Sequence, residues 1–105
     1  MVPRSLRLTR EEFTRVARLG ALSHSDHFSV RKLRATSPGR GFSVVVSKKV
    51  ARTATVRNRT RRRVYDALAR ISKTPHVSAI VYVKRGGPAL PFLSLVSELS
   101  SHFRM

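Results

Sequence analysis

The chain has 105 residues, and its 22 lysines and arginines outnumber its 5 acidic residues so strongly that the formal net charge is +17. This length fits one domain, which we place at residues 1–105, and 41% hydrophobic residues are enough for a single modest core. A charge of this size destabilises the compact state through self-repulsion. We therefore expect a partner that supplies the counter-charge, most commonly nucleic acid.

The composition also excludes several classes of protein. The chain contains no cysteine, which excludes disulfide bonds and thiolate metal sites and fits a reducing compartment. No apolar run reaches the length of a membrane span, and the first residues carry charges every few positions, unlike an export signal. We therefore predict a cytoplasmic protein without a membrane partner.

The first predicted element is a short helix from Thr9 to Gly20. Thr9 and Glu12 have the spacing of a capping box, and Gly20 suits a left-handed stop at the C-terminus. Phe13, Val16 and Ala17 fall on one face of this helix, so that face is expected to pack on the rest of the domain.

Two alternating runs follow, one from His27 to Arg34 and one from Phe42 to Val50, and both predict strands. The Pro-Gly turn at Ser37–Arg40 between them predicts a hairpin. Because apolar residues occupy both faces of the second run, we expect its strand to be the more central and more buried of the two.

A third strand is predicted from His76 to Val83, and the glycines and proline of Lys84–Pro88 end it. A final helix from Pro91 to Phe103 has apolar residues at the three-four spacing of a stripe that docks on a sheet. With a central helix before the third strand, the predicted order is αββαβα.

The central helix contains the densest charge, RNRTRRR at residues 57–63. At about 100° per residue, one arc of its helical wheel is apolar and can dock. The members of that arc are Val56, Thr60, Val64, Ala67, Leu68 and Ile71. Beside it lie Arg57, Arg61, Tyr65, Asn58 and Arg62, while Arg59, Arg63 and Arg70 group with Asp66 toward the opposite flank.

A solvated helix face normally mixes charges of both signs, yet Asp66 is the one acidic residue between Lys48 and Lys73. The cluster therefore carries repulsion that nothing nearby in the sequence offsets. Guanidinium groups match phosphate oxygens two at a time, so we interpret the cluster as a nucleic-acid contact.

The acidic residues and histidines predict neither a catalytic site nor a metal site in the protein. Phosphodiester hydrolysis by protein groups needs clustered carboxylates, paired histidines, or an acid and a base close together. The acidic residues are scattered, and helix termini and helix surfaces account for most of them. The four histidines show no metal-ligand spacing, apart from a loose pair of His24 and His27, and exposed or turn positions are the preferred interpretation. The acidic residues are Glu11, Glu12, Asp26, Asp66 and Glu98, and the histidines are His24, His27, His76 and His102.

The run SVVVSKK at residues 43–49, then RNRTRRR, then an apolar helix resembles the bacterial ribonuclease P protein component, in which a strand ending in SKK precedes an RNR helix. The resemblance extends from Leu8 to Phe103 and includes Gly20, the Phe28 strand, the late strand before Arg85 and the terminal leucine-rich helix. One departure is residues 50–56, which lack the family's glycine and are one residue longer. We therefore expect the loop before the helix to be reshaped.

The resemblance implies an α+β sandwich with a small mixed sheet, helices packed on it and a left-handed βαβ crossover at the RNR helix. It also implies a non-catalytic subunit that assists a catalytic RNA in removing 5′ leaders from precursor tRNA. The implied partners are the catalytic ribonuclease P RNA and precursor tRNA, with no obligate protein partner, and Mg²⁺ is expected to be held mainly by RNA. The main alternative is a ribosomal or other structural RNA-binding protein.

Carried over by position, the resemblance assigns two sets of site residues. The set facing RNA is Lys48, Lys49, Arg52, Arg57, Asn58, Arg59, Arg61, Arg62 and Tyr65. The candidates for a cleft that holds the single-stranded leader are Phe13, Ala17, Phe28 and Arg31. For Phe13 and Phe28, core packing is the preferred alternative. For Tyr65, the equal alternative is a half-buried amphipathic tyrosine.

Overall fold

The computed structural model describes residues 8–34, 41–71 and 77–103, which contain three helices and four strands. In chain order the elements are α1 (Arg10–Leu19), β1 (Ala21–His24), β2 (Phe28–Arg34), β3 (Gly41–Val45), α2 (Ala54–Ile71), β4 (Val77–Val83), a 3₁₀ turn (Gly87–Ala89) and α3 (Phe92–Phe103). Every long element of the predicted order is present. Strand β1 was not predicted, because ALSH is short and mostly exposed and shows no clear alternation.

The four strands form one mixed sheet in the order β1-β2-β4-β3. Strand β2 runs antiparallel to β1 and β4, whereas β3 runs parallel to β4. The predicted hairpin between β2 and β3 is therefore wrong, since β4 lies between them, and its turn at Ser37–Arg40 lies outside the described residues. Alternation along a strand indicates which face is buried but not which strand lies beside it.

The sequence predicts that β3 is more central in the sheet than β2. This prediction is wrong, because β3 is an edge strand. Phe42, Val44 and Val46 are nevertheless buried, because helix α2 covers that face of the edge. Since β3 and β4 are parallel neighbours joined through α2, the expected βαβ crossover is confirmed. Its left-handed sense stays a prediction.

The two faces of the sheet carry different helices. One buried cluster joins Phe28, Val30 and Val81 of the sheet to Leu68 of α2 and Leu95 of α3. Val16 of α1 and Ile80 of β4 are also fully buried but lie outside this cluster. Because successive strand residues point to opposite faces, Ile80 faces away from Val81, and α1 packs on that second face.

The predicted capping box at the start of α1 is confirmed. The Glu12 amide donates to Thr9 Oγ1 at 3.2 Å, and the Thr9 amide donates to the Glu12 carboxylate at 3.2 Å. The left-handed stop at Gly20 is wrong, because its backbone is extended, with φ −70° and ψ 145°. A Cβ on Gly20 would lie 2.6 Å from both Arg31 Cγ and the Val16 carbonyl oxygen. Glycine is needed here because Arg31 and the Val16 carbonyl group lie too close for a side chain, and not because of its backbone conformation.

Candidate nucleic-acid interface

A short turn connects the end of β3 to helix α2 and carries two exposed lysines. We call residues 46–53 the lead-in turn. Val46 and Ala51 are buried and anchor it to the core, at 7% and 5% exposure. Between them, the Ser47 carbonyl accepts hydrogen bonds from the amides of Val50 (3.1 Å) and Ala51 (3.0 Å). The glycine-free sequence thus forms a hydrogen-bonded turn with Lys48 and Lys49 exposed.

Helix α2 begins with two contacts back to the lead-in turn. Thr53 caps the helix, because its Oγ1 accepts the amide of Val56 at 3.2 Å. The Arg57 guanidinium donates from Nη1 to the carbonyl oxygens of Ala51 and Arg52, at 2.9 Å each. The first turn of α2 contains no acidic residue, so the positive end of the helix dipole adds to the surrounding cations.

The apolar face of α2 lies where the helical wheel predicts it. Thr60, Val64, Ala67 and Leu68 are buried, at 2% exposure or less. Thr60 is tolerated in the core because its hydroxyl donates to the Val56 carbonyl at 2.8 Å. The orientation of the whole helix follows from this face, and the remaining positions of RNRTRRR are turned away from the core.

Five predicted contact residues combine exposure with free side chains. Their charged groups make no hydrogen bond or ion pair with any residue that the structure describes. These residues are Lys48, Lys49, Arg52, Arg59 and Arg62. Arg61 is half-buried and donates to Asn58 Oδ1 at 2.6 Å. This bond orients Asn58 and leaves its amide nitrogen exposed.

Two arginines on the opposite flank of α2 have structural partners. Arg63 donates to the carbonyl oxygens of Pro88, at 3.1 Å, and of Leu90. The Arg70 guanidinium lies 4.9 Å from the centre of the Phe92 ring, in a cation–π contact. Both side chains therefore attach α2 to the 3₁₀ turn and to α3.

Tyr65 is half-buried and packs against the core. Its hydroxyl accepts a hydrogen bond from the Val44 amide at 3.3 Å and lies 3.5 Å from the Phe42 carbonyl oxygen. These groups lie on the edge of β3 away from β4, where the Leu8 amide also donates to the Phe42 carbonyl oxygen at 3.0 Å. Tyr65 is therefore a half-buried amphipathic tyrosine, whose ring packs on the core and whose hydroxyl bonds to the backbone of β3. Its predicted contact with RNA stays a prediction.

The four leader-cleft candidates do not lie together. Phe13 and Ala17 of α1 are half-buried, and Arg31 donates to the Gly20 carbonyl oxygen at 3.1 Å. Phe28, by contrast, has no exposed surface and belongs to the core on the opposite face of the sheet. Assigning Phe28 to the cleft was therefore wrong. Residues three apart on a strand point to opposite faces, so this separation from Arg31 could have been predicted.

Tyr82 is a candidate cleft residue that the sequence analysis missed. It pairs with Ser29 on one side and Val45 on the other, so it lies on the α1 face of the sheet with Arg31. It is half-buried, as Phe13 and Ala17 are. The signal was available, because alternate residues from the buried Ile80 share its face.

A hydrogen-bonded network joins β1, the turn after it and α3. Ser23 Oγ lies 2.7 Å from His102 Nδ1, and His102 Nε2 lies 2.8 Å from Ser25 Oγ. Ser25 Oγ donates to Glu98 at 2.5 Å, and the amide of His27 donates to the same carboxylate at 2.7 Å. The prediction that Glu98 and His102 are ordinary surface residues was wrong, because both lie within this network.

Two groups of the network have perturbed acidities. Burial raises the pKa of Glu98, but hydrogen bonds from Ser25 and His27 outweigh it, and the net pKa is lowered. Burial lowers the pKa of His102, and nearby Lys32 lowers it further. Both shifts favour a neutral His102 and an ionised Glu98. The Glu98 carboxylate accepts three hydrogen bonds from Ser25 and His27, so we interpret the network as a structural clamp rather than an acid–base pair.

Fold and surface together define a small, strongly basic α+β protein that has five exposed, unpaired cations on one helix and the turn before it. The sequence pattern of the Ribonuclease P family matches residues 2–105, and the chain belongs to this family. Membership associates the chain with tRNA processing, as a protein part of a ribonuclease P holoenzyme with an RNA partner.

Solved structures share the α+β fold, which confirms the predicted fold class. The RNase P protein of Staphylococcus aureus is 19% identical, with a TM-score of 0.79, and the match covers 93% of this chain and 92% of that one. The RNase P protein of Thermotoga maritima is 19% identical, with a TM-score of 0.80 and coverage of 91% and 93%. A search of curated proteins found no match. Within the described residues, no helix is long and apolar enough to cross a membrane.

Proposed function

We propose that this chain is the protein subunit of a ribonuclease P holoenzyme and that it binds both the catalytic RNA and the 5′ leader of precursor tRNA. The observation that carries the proposal is the set of five exposed cations on the lead-in turn and α2, Lys48, Lys49, Arg52, Arg59 and Arg62, without acidic partners among the described residues. Their role is to neutralise the phosphate repulsion that opposes assembly of two RNAs.

The arrangement also supports two separate contact surfaces. The cations of α2 lie on the helix that packs against one face of the sheet, whereas Phe13, Arg31 and Tyr82 lie on the α1 side. In this proposal α2 and its lead-in turn bind the catalytic RNA. The α1 side holds the single-stranded leader, with bases stacked on aromatic or guanidinium planes and phosphates near the arginines.

The chemistry is assigned to the RNA. In the described part of the chain, no three histidine, cysteine or acidic side chains are grouped so that they could hold a metal ion. We assign the ion to RNA and substrate, whose phosphate oxygens suit Mg²⁺. The protein's proposed contribution is affinity, for the precursor and for the folded catalytic RNA. Action in the cytoplasm belongs to the same proposal.

The test is cleavage of precursor tRNA at low Mg²⁺ by the cognate ribonuclease P RNA, with and without this chain. We expect the chain to restore cleavage and to tighten binding of precursor tRNA much more than binding of mature tRNA. Arg31→Ala should reduce that preference, whereas Ser97→Ala, at an exposed position on α3, should leave it unchanged. Equal tightening of precursor and mature tRNA would exclude leader binding. Failure to stimulate cleavage, together with stable association with ribosomal RNA, would favour the structural RNA-binding alternative.

A further inference from the structure

We propose that Arg57, the first arginine of RNRTRRR, is a positioning residue that holds the lead-in turn in the shape presenting Lys48, Lys49 and Arg52 to RNA. This inference rests on the proposed function, because it concerns how the same surface is built. It changes the role of one residue from that of a phosphate ligand to that of a support for three other cations.

The hydrogen bonds of Arg57 motivate the assignment. Both carbonyl oxygens that it contacts belong to consecutive residues, Ala51 and Arg52, and both bonds start from the same nitrogen, Nη1. Nη1 has two hydrogens, and these bonds use both. The remaining donors, on Nε and Nη2, make no hydrogen bond with the described residues, so the positioning role rests on the two bonds from Nη1. The half-buried Arg57 guanidinium is therefore already engaged with its own chain.

The lead-in turn needs such support because its charges repel one another. Lys48, Lys49 and Arg52 are exposed and have no acidic partner among the described residues. The turn is held at Ala51, whose side chain is buried, and at Thr53, which caps α2. Arg57 adds a positive charge of its own, and its bonds to the two carbonyl oxygens offset that repulsion.

Arg62 is the natural contrast on the same helix. It is exposed, and its side chain makes no hydrogen bond or ion pair with the described residues. Arg62 therefore suits a direct phosphate contact. Removing Arg62 should weaken RNA binding independently of the lead-in turn, whereas removing Arg57 should act through Lys48 and Lys49.

A double-mutant cycle separates the two roles. Binding of the full chain to in vitro transcribed ribonuclease P RNA is measured for R57A, for the K48A/K49A pair and for the combination. We expect R57A to weaken binding on the order of tenfold alone and by much less than that once both lysines are absent. R62A should cause the same fold loss in both backgrounds. Equal fold losses for R57A in both backgrounds would overturn the positioning role.

Amide hydrogen exchange of the free protein supplies a readout that needs no RNA. In R57A, the amides of Val50 and Ala51, which bond to Ser47, should exchange on the order of tenfold faster than in wild type. In R62A they should not change. R57M, which keeps an unbranched apolar stem without the donors, should match R57A and carries the test if R57A does not fold. Unchanged amide exchange in R57M would refute the positioning role of Arg57. If the wild-type chain itself bound no ribonuclease P RNA, the proposed function would fail instead.

Discussion

Glu98 of α3 accepts two hydrogen bonds from His27, one from its ring Nδ1 at 2.7 Å and one from its backbone amide at 2.7 Å. This contact ties the C-terminal helix to the turn between β1 and β2, and Ser25 adds a third donor to the same carboxylate. The Glu98 side chain thus joins two parts of the fold that are more than seventy residues apart in the chain.

Replacing Glu98 with alanine should therefore destabilise the fold. The substitution removes the acceptor of the His27 amide and ring nitrogen and one of the two acceptors of the Ser25 hydroxyl, which costs about 1–3 kcal/mol. Urea unfolding followed by circular dichroism measures the loss. Ser97→Ala, one residue earlier and exposed, is the matched control and should unfold at the wild-type midpoint. Equal midpoints for the two variants would contradict the clamp.

Acid should destabilise the protein in two steps. His102 has a lowered pKa in the folded state, so its contribution is present above the unfolded value of 6.5 and is lost as pH falls below it. Glu98 also has a lowered pKa, so its contribution is lost at lower pH, below 4.5 and through its folded pKa. Thermal unfolding from pH 8 down to about pH 2 measures both. His102→Gln should flatten the upper step, and a first step of wild-type size in that variant would rule out His102 as its source.

Gly20→Ala should destabilise the fold although alanine adopts φ −70° without strain. The added methyl group would lie 2.6 Å from Arg31 Cγ and from the Val16 carbonyl oxygen, and overpacking of this kind costs about 1–3 kcal/mol. Chemical denaturation measures the cost. Arg31→Ala in the same chain removes one of the two clashing atoms and should recover part of the loss. No recovery would mean that the backbone of Val16 sets the cost.

Arg62 and Arg63 are sequence neighbours with opposite expected effects. R62A should weaken RNA binding and lower the salt slope by roughly 0.7–0.9, the value for one lost phosphate contact, with unchanged stability. R63A removes the bonds to Pro88 and Leu90 and should lower the unfolding free energy by about 1–3 kcal/mol. Salt titrations of RNA affinity and urea unfolding test the pair. An unchanged slope in R62A would assign Arg62 to the solvated surface.

Tyr65→Phe tests whether the hydroxyl serves the sheet edge or the RNA. Removing it leaves the Val44 amide without that partner, and we expect a loss of about 1 kcal/mol in the free energy of unfolding. RNA affinity should stay within twofold of wild type when measured well below the unfolding temperature. A large loss of affinity at unchanged stability would instead support the predicted RNA contact.

Several features were predictable from local chemistry. The capping box of Thr9 and Glu12 depends on residues three apart, and the buried arc of α2 follows from helical periodicity. Neither depends on distant parts of the chain. The same holds for the demand for an anionic partner, which follows from a net charge of +17.

Sequence by itself therefore determined the long elements, their buried faces and the class of partner that the charge requires. Only the tertiary structure decided which strands are neighbours and which arginines keep free guanidinium groups. Strand β4 pairs between β2 and β3, and Arg57 and Arg63 donate to backbone carbonyl oxygens. These contacts join residues that come together only when the chain folds. Arginines that look equivalent in RNRTRRR differ because their backbone surroundings differ.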